Sequence, residues 1–346
     1  MTVKKGLSFF VTLSLLVSGA VLYASVDRSS FELFRRADPC RLSVAALLVV
    51  LVWLFDALKL RSLVMAAGER ISFSFSVQLT LINYFGAAVT PMQSGGGPFQ
   101  VYMMYRRGIG VGKSVAVTLV RTVLSLLILG LTIPFTLMFD IDIPKSGWWI
   151  RGFVFYVVVF IMLLWLVIIL SLVKPRLIKR VSGIAVMLLA RAGFLKQRLV
   201  SAILRWIDRE VDAYNQNIRD FIRGGRNYFL LGLLCGVTQM WVYLSIMPCV
   251  IWAMGLEVMY VECVLLQALF LFLLYFIPTP GGSGAAEGGA AMIFSVFVPW
   301  SVAGVLGLGW RFLTEYTGII LGLLIAVKEF GLNLASGLPE KDEENP

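Results

Sequence analysis

Arg121 lies about two turns into an apolar run, 114–139, and Arg311 and Glu315 lie four positions apart in the last run, 301–327. Glu287 follows directly on a glycine-rich break. An arginine or acid at the centre of a membrane helix costs about 2.5–3.5 kcal/mol on insertion scales, so such residues default to functional roles. Arginine in that setting suits phosphate, because its planar fork grips two oxygens at once. A neighbouring glutamate suits orientation of that arginine or carriage of a proton. Plainer roles compete. Arg311 and Glu315 can neutralise each other across one helical turn, although that leaves guanidinium donors unfilled. Arg121 can reach out to the headgroups. Glu287 falls at the third helical position if Gly284 is the N-cap, and there it caps its own helix. Capping and coupling are compatible. Asp56 and Glu262 sit near run ends, where snorkelling suffices, and they carry less weight.

The breaks themselves suit an anion. The first is Ser94-Gly95-Gly96-Gly97-Pro98 and the second is Pro278-Thr279-Pro280-Gly281-Gly282-Ser283-Gly284. Glycine lets backbone N–H groups approach a ligand closely. A helix starting at Pro98 or Ala285 would point its positive end at the break. Neither break is a P-loop, since no Gly-Lys-Ser/Thr follows at the required spacing. With the arginines, they imply a phosphate-carrying, amphiphilic ligand: a phospholipid headgroup or a polyprenyl phosphate.

Other chemistries are excluded by composition. The 346 residues contain no histidine, which removes His proton relays, His metal sites and Ser/His or Cys/His nucleophile pairs. Cys40, Cys235, Cys249 and Cys263 form no C-x-x-C pair and read as buried thiols without redox or metal roles. No cofactor or metal is expected. The chain is 59% hydrophobic and 14% charged, with mean hydropathy +0.87. A soluble domain is nearer 25% charged, so these values describe an integral membrane protein.

The elements that would hold these residues are apolar helices. The runs are 6–24, 42–58, 73–90, 114–139, 152–173, 228–254, 260–277, 285–298 and 301–327. They are continuous rather than alternating, which selects helices over a β-barrel. Lys4 and Lys5 precede the first run, as in a signal peptide, but Leu22 spoils the cleavage pattern and an uncleaved span is expected. Lys and Arg gather on the cytoplasmic side of short loops. If 73–107 is a hairpin from the cytoplasmic side and 260–299 a hairpin from the outside, 22 of the 30 basic residues lie inside and 6 outside. Both termini are then cytoplasmic. The two hairpins share a phrase, Tyr84-Phe85 with Thr90-Pro91 and glycines, then Tyr275-Phe276 with Thr279-Pro280 and glycines. That pattern fits inverted repeats with broken helices, which in transporters meet near the bilayer midplane.

The expected fold is therefore an all-α polytopic bundle with two inverted, broken re-entrant hairpins. It forms one membrane domain, 1–339, and the acidic tail 340–346 is expected to be disordered. Segment 174–226 carries twelve basic and four acidic residues. Its apolar residues recur at helical spacing, so it reads as a cytoplasmic amphipathic insertion, 173–227, lying on anionic inner-leaflet lipid. Nucleic acid is set aside, because no nucleic-acid motif accompanies the charge.

Two blocks of sequence carry a family resemblance. One runs from Asn83-Tyr84-Phe85 through Pro91 and Gly95-Gly96-Gly97-Pro98 to Arg106-Arg107-Gly108 and Arg121. The other is Pro278-Thr279-Pro280-Gly281-Gly282-Ser283-Gly284-Ala285-Ala286-Glu287. Together they resemble the lysylphosphatidylglycerol synthase transmembrane-region family, the flippase-like domain family, over nearly the whole chain. The resemblance implies a domain that moves lipids between leaflets, best supported in the multiple peptide resistance factor, where aminoacylated phosphatidylglycerol is flipped. The aminoacyl-transferase module is not expected here, so aminoacylation is not carried over.

The resulting expectation is a non-enzymatic lipid translocase of a prokaryotic cytoplasmic membrane. Arg121 and Arg311 bind phosphate. Glu287 and Glu315 orient them or carry a proton. Gly95, Gly96, Gly97 and Pro98, with Pro280, Gly281, Gly282 and Gly284, form the hinged turns. A secondary transporter of a small anion and a non-transporting partner of a lipid or glycan synthase are the alternatives. Substrate identity and oligomeric state, a homo-oligomer included, stay open.

Overall fold

In the computed structural model the structure describes residues 3–25, 37–132 and 225–330, with single positions between 155 and 205. The expected span 152–173, the amphipathic segment and the acidic tail lie outside the described residues. The chain divides into two compact units. One comprises Met1–Met65, Glu69–Pro144 and Leu230–Pro346, and the other Ala66–Gly68 and Lys145–Phe229. In the second unit the described positions between 155 and 205 are helical. Everything below concerns the first.

All its regular elements are helices, and no strand occurs among the described residues. They are α1 (Val3–Ser25), α2 (Pro39–Ala66), α3 (Phe73–Ala88), α4 (Gly96–Arg106), α5 (Val111–Thr132), α6 (Arg226–Leu244), α7 (Ile246–Ala253), α8 (Tyr260–Leu274), α9 (Ala285–Phe297), α10 (Trp300–Arg311) and α11 (Thr317–Phe330). A π-helical turn, Phe312–Tyr316, joins α10 to α11. Five stretches are long and apolar enough to cross a membrane: Leu7–Ala24, Pro39–Ala66, Val111–Thr132, Arg226–Ala253 and Trp300–Phe330.

Local chemistry sets the ends. Pro39 occupies the first position of α2, where its missing N–H costs nothing. The Asp38 carboxylate accepts from the Cys40 N–H at 2.9 Å. The helix then runs to Ala66, eight residues beyond the expected end, because Leu60, Leu63, Val64 and Ala66 continue the buried face. Ser72 caps α3, its hydroxyl accepting from the Phe75 N–H at 3.2 Å. The expected single run 228–254 is two helices meeting at Ser245. Pro248 has no N–H for the Leu244 carbonyl, which breaks the ladder there.

α3 and α4 form one hairpin, α8 and α9 the other, and each is too short in either arm to span a bilayer at 1.5 Å per residue. The first closes tightly because Gly86 and Gly95–Gly96 allow backbone contact. A Cβ on Gly86 would stand 2.8 Å from the Gly95 carbonyl oxygen, and one on Gly96 would overlap the Asn83 side chain. The two breaks meet each other. Pro91 and Pro280 pass antiparallel, and the Gly281 N–H donates to the carbonyls of Ala87 at 3.2 Å and Thr90 at 3.4 Å. Gly281 has φ 59°, and a Cβ there would also strike Phe10 at 2.8 Å.

Val49, Val52, Tyr243, Phe270, Phe294, Leu306 and Trp310 build a core shared by α2, α6, α8, α9 and α10. α1 belongs to the bundle: the Ser14 hydroxyl donates to Glu287 at 3.0 Å, and Phe10 packs edge-on against Tyr316. Among the four cysteines only Cys235 and Cys263 are buried; Cys249 is half-buried and Cys40 exposed, which corrects the expectation of four buried thiols.

Candidate functional site

On α2, Asp56 and Lys59 stand three positions apart and so share a face. Both are buried, at 4% and 1% exposure. Lys59 Nζ lies 2.7 Å from one Asp56 oxygen, and it donates to Ser125 Oγ and Gln239 Oε1, each at 3.0 Å. Arg121, on α5, donates through Nη2 to the other Asp56 oxygen. Its Nε finds no acceptor. Asp56 therefore holds two cations in an interior where an unpaired charge would be very costly.

An apolar run ending at 58 puts Asp56 near a helix end and leaves Lys59 just outside the helix. The longer α2 overturns both. Asp56 sits well inside the helix rather than at its end, and Arg121 turns inward to it rather than out to the headgroups. The usable signal was the Asp56/Lys59 spacing within an apolar pattern that does not stop at Leu58.

The second cluster gathers at the other break. Arg311, 2% exposed, donates from Nη2 to the Gly281 carbonyl at 2.8 Å, and its Nε lies 3.6 Å from Glu287 Oε1. The guanidinium carbon lies 5.9 Å from the centre of the Tyr316 ring. Glu287 is saturated. Oε1 accepts from Ser14 and, at 2.7 Å, from the Tyr316 hydroxyl, while Oε2 accepts from the Gly284 N–H at 2.6 Å. That last bond caps α9, with Gly284 as N-cap. Glu315 takes a different partner, the Tyr243 hydroxyl at 3.1 Å. Glu287 is thus the acid within ion-pair distance of Arg311, while Glu315 acts on it electrostatically without a direct contact. The π turn between Arg311 and Glu315 changes the four-residue register on which their pairing depended.

One cavity of about 820 Å³ joins the two clusters. Asp56, Lys59, Arg121, Arg311 and Glu315 line it, with Gly97 and Pro98 from the first break. Tyr84 and Tyr275, one from each hairpin, also line it and lie within electrostatic reach of both Arg121 and Glu315. Glu287 stands behind Arg311, and Gly95, Gly96, Pro280, Gly281, Gly282 and Gly284 shape the turns rather than the cavity wall. Met92 and Gln93, also on the wall, hold left-handed backbone at φ 54° and 53°, which is costly for residues with side chains. On the α4 and α5 side the wall includes Tyr102, Tyr105, Val111, Val115 and Leu119, all of them exposed.

The lining combines cationic donors, tyrosine hydroxyls and exposed apolar side chains. Among the described residues no group of His, Cys, Asp and Glu could hold a metal ion.

The family described as the lysylphosphatidylglycerol synthase TM region matches residues 11–322. The chain belongs to this family. A UPF0104 membrane protein of Archaeoglobus fulgidus is 27% identical over 325 residues, covering 91% of this chain and 94% of the relative.

Proposed function

We propose that this member of the lysylphosphatidylglycerol synthase TM-region family moves a phosphate-bearing lipid, a phospholipid or polyprenyl phosphate, between the leaflets of a prokaryotic cytoplasmic membrane. The observation that carries the reading is the common cavity of Arg121 and Arg311, whose wall continues into the exposed apolar residues Val111, Val115 and Leu119. Both arginines line the cavity, and a phosphate entering it can accept from their guanidinium groups. An opening bounded by outward-facing aliphatic side chains lets acyl chains stay in the bilayer while the headgroup enters.

In this mechanism the lipid phosphate sits between the arginines. Glu287 orients Arg311 through the ion pair, and Glu315, turned to the cavity, carries the compensating proton. The two glycine breaks act as hinges, entering the membrane from opposite sides, and segment 174–226 rests on anionic lipid of the inner leaflet. The Gly281 link to Ala87 and Thr90 ties the hinges together, so that neither turn moves alone.

The test is leaflet exchange of labelled phosphatidylglycerol in liposomes containing the purified chain. Exchange above protein-free liposomes, abolished by Arg121→Gln, supports the reading. Uptake of inorganic phosphate without lipid exchange would replace it with a small-anion transporter. Neither activity would leave a non-transporting synthase partner.

A further inference from the structure

We propose that Lys59 is a positioning residue that keeps Arg121 available to a phosphate group, by neutralising the one carboxylate that would otherwise consume Arg121's charge. This deepens the reading above and rests on it for the ligand class.

Asp56 offers one negative charge to two cations, so the group Asp56, Lys59 and Arg121 keeps a formal charge of +1. The three ammonium donors of Lys59 are all spent, on Asp56, Ser125 and Gln239. Lys59 is therefore locked and cannot itself reach a ligand. Arg121 has given one donor nitrogen to Asp56, its Nε is without an acceptor, and it lines the cavity. The surplus charge is thus presented on the cavity wall. The opposite cluster sets Arg311 against the two acids Glu287 and Glu315 and so offers no surplus positive charge, whether or not Glu315 holds its proton. An anion entering the cavity is drawn to the Arg121 end, and Arg311 serves as the second, hinge-linked contact. Without Lys59 the Asp56–Arg121 pair would be neutral and self-sufficient.

The prediction is an ordering set by net charge. Purified protein in a nonionic detergent is titrated with dihexanoyl phosphatidic acid, with inorganic phosphate, and with dihexanoylglycerol as the uncharged control. Lys59→Met brings the group to zero and should weaken phosphatidic acid binding at least about tenfold, since one buried charge a few ångströms away is at stake. Asp56→Asn raises the group to +2 and should bind as tightly as wild type or tighter. Lys59→Met with Asp56→Asn returns it to +1 and should restore binding. A purely structural role for the triad gives the reverse, with Asp56→Asn worst because it strands two buried cations.

Unchanged binding by Lys59→Met, no recovery in the double variant, or weakened binding by Asp56→Asn each overturns the inference. Because Asp56→Asn decides by itself, a Lys59→Met protein that fails to fold does not protect the proposal. If wild type binds neither phosphate probe, the inference and the transport reading fall together. The expected ordering without any leaflet exchange keeps the inference and removes the transport reading. Tighter binding of phosphatidic acid than of inorganic phosphate assigns the site to a lipid headgroup, and equal binding with the same ordering assigns it to free phosphate.

Discussion

Arg311 Nη2 donates to the carbonyl oxygen of Gly281 at 2.8 Å, which fastens a buried cation of the cavity wall to the turn of the second hairpin. Any rearrangement of that turn displaces the arginine. Because the Gly281 N–H in turn donates to Ala87 and Thr90, the same residue also touches the first hairpin. The placement of Arg311 and the geometry of the two turns are therefore linked.

Arg311→Gln should abolish lipid exchange and lower stability, by about 3–5 kcal/mol, because it strands the buried Glu287. Adding Glu287→Gln should recover a good part of the stability and none of the exchange. Thermal unfolding in detergent beside the liposome assay separates the two. Full exchange by the Arg311→Gln, Glu287→Gln protein would remove Arg311 from the mechanism.

Arg121→Lys should reduce exchange at least about tenfold while leaving the fold intact, since lysine keeps the charge facing Asp56 but loses the planar fork. The readout is initial exchange rate against the melting temperature. Wild-type rates in this variant would mean that charge alone suffices.

Neighbouring glycines in the first break should behave oppositely. A Cβ on Gly96 would overlap Asn83, while one on Gly97 meets nothing within 4 Å. Gly96→Ala should therefore cost stability by about 1–3 kcal/mol through overpacking, and Gly97→Ala should be neutral or slightly stabilising. Equal melting temperatures for the two variants would contradict the close packing of α3 on α4.

Val115 and Leu119 are exposed residues of the cavity wall on α5. Val115→Trp should slow exchange of a long-chain phospholipid several-fold without weakening inorganic phosphate binding, because it narrows the rim and leaves the arginines alone. Equal loss of both would place the headgroup path at Val115 itself.

The proposed topology is checked by labelling single cysteines after replacing the exposed Cys40. Arg106→Cys should react from the cytoplasmic side and Glu257→Cys from the outside, both positions being exposed. Reaction of Arg106→Cys only from outside would reject a first hairpin that returns to its own side.

The sequence by itself determined that this is an α-helical membrane protein with two glycine-proline breaks, because run length against bilayer thickness and the backbone demands of glycine and proline are local properties. Glu287 as a cap was legible for the same reason: a cap needs only a three-residue spacing, and Gly284 and Glu287 supply it. What the tertiary structure decided was which charges meet. Asp56 and Arg121 are 65 positions apart, and Glu287 and Arg311 are 24 apart on separate helices. No periodicity reports contacts of that kind. The acid nearest in sequence, Glu315, makes no direct contact with Arg311 across a π turn that leaves no clear mark in composition. Lys59 looked like a loop residue until the apolar face of α2 was seen to continue past it. A charge in an apolar helix is tolerated only where a partner from another helix covers it, and that covering is decided by packing.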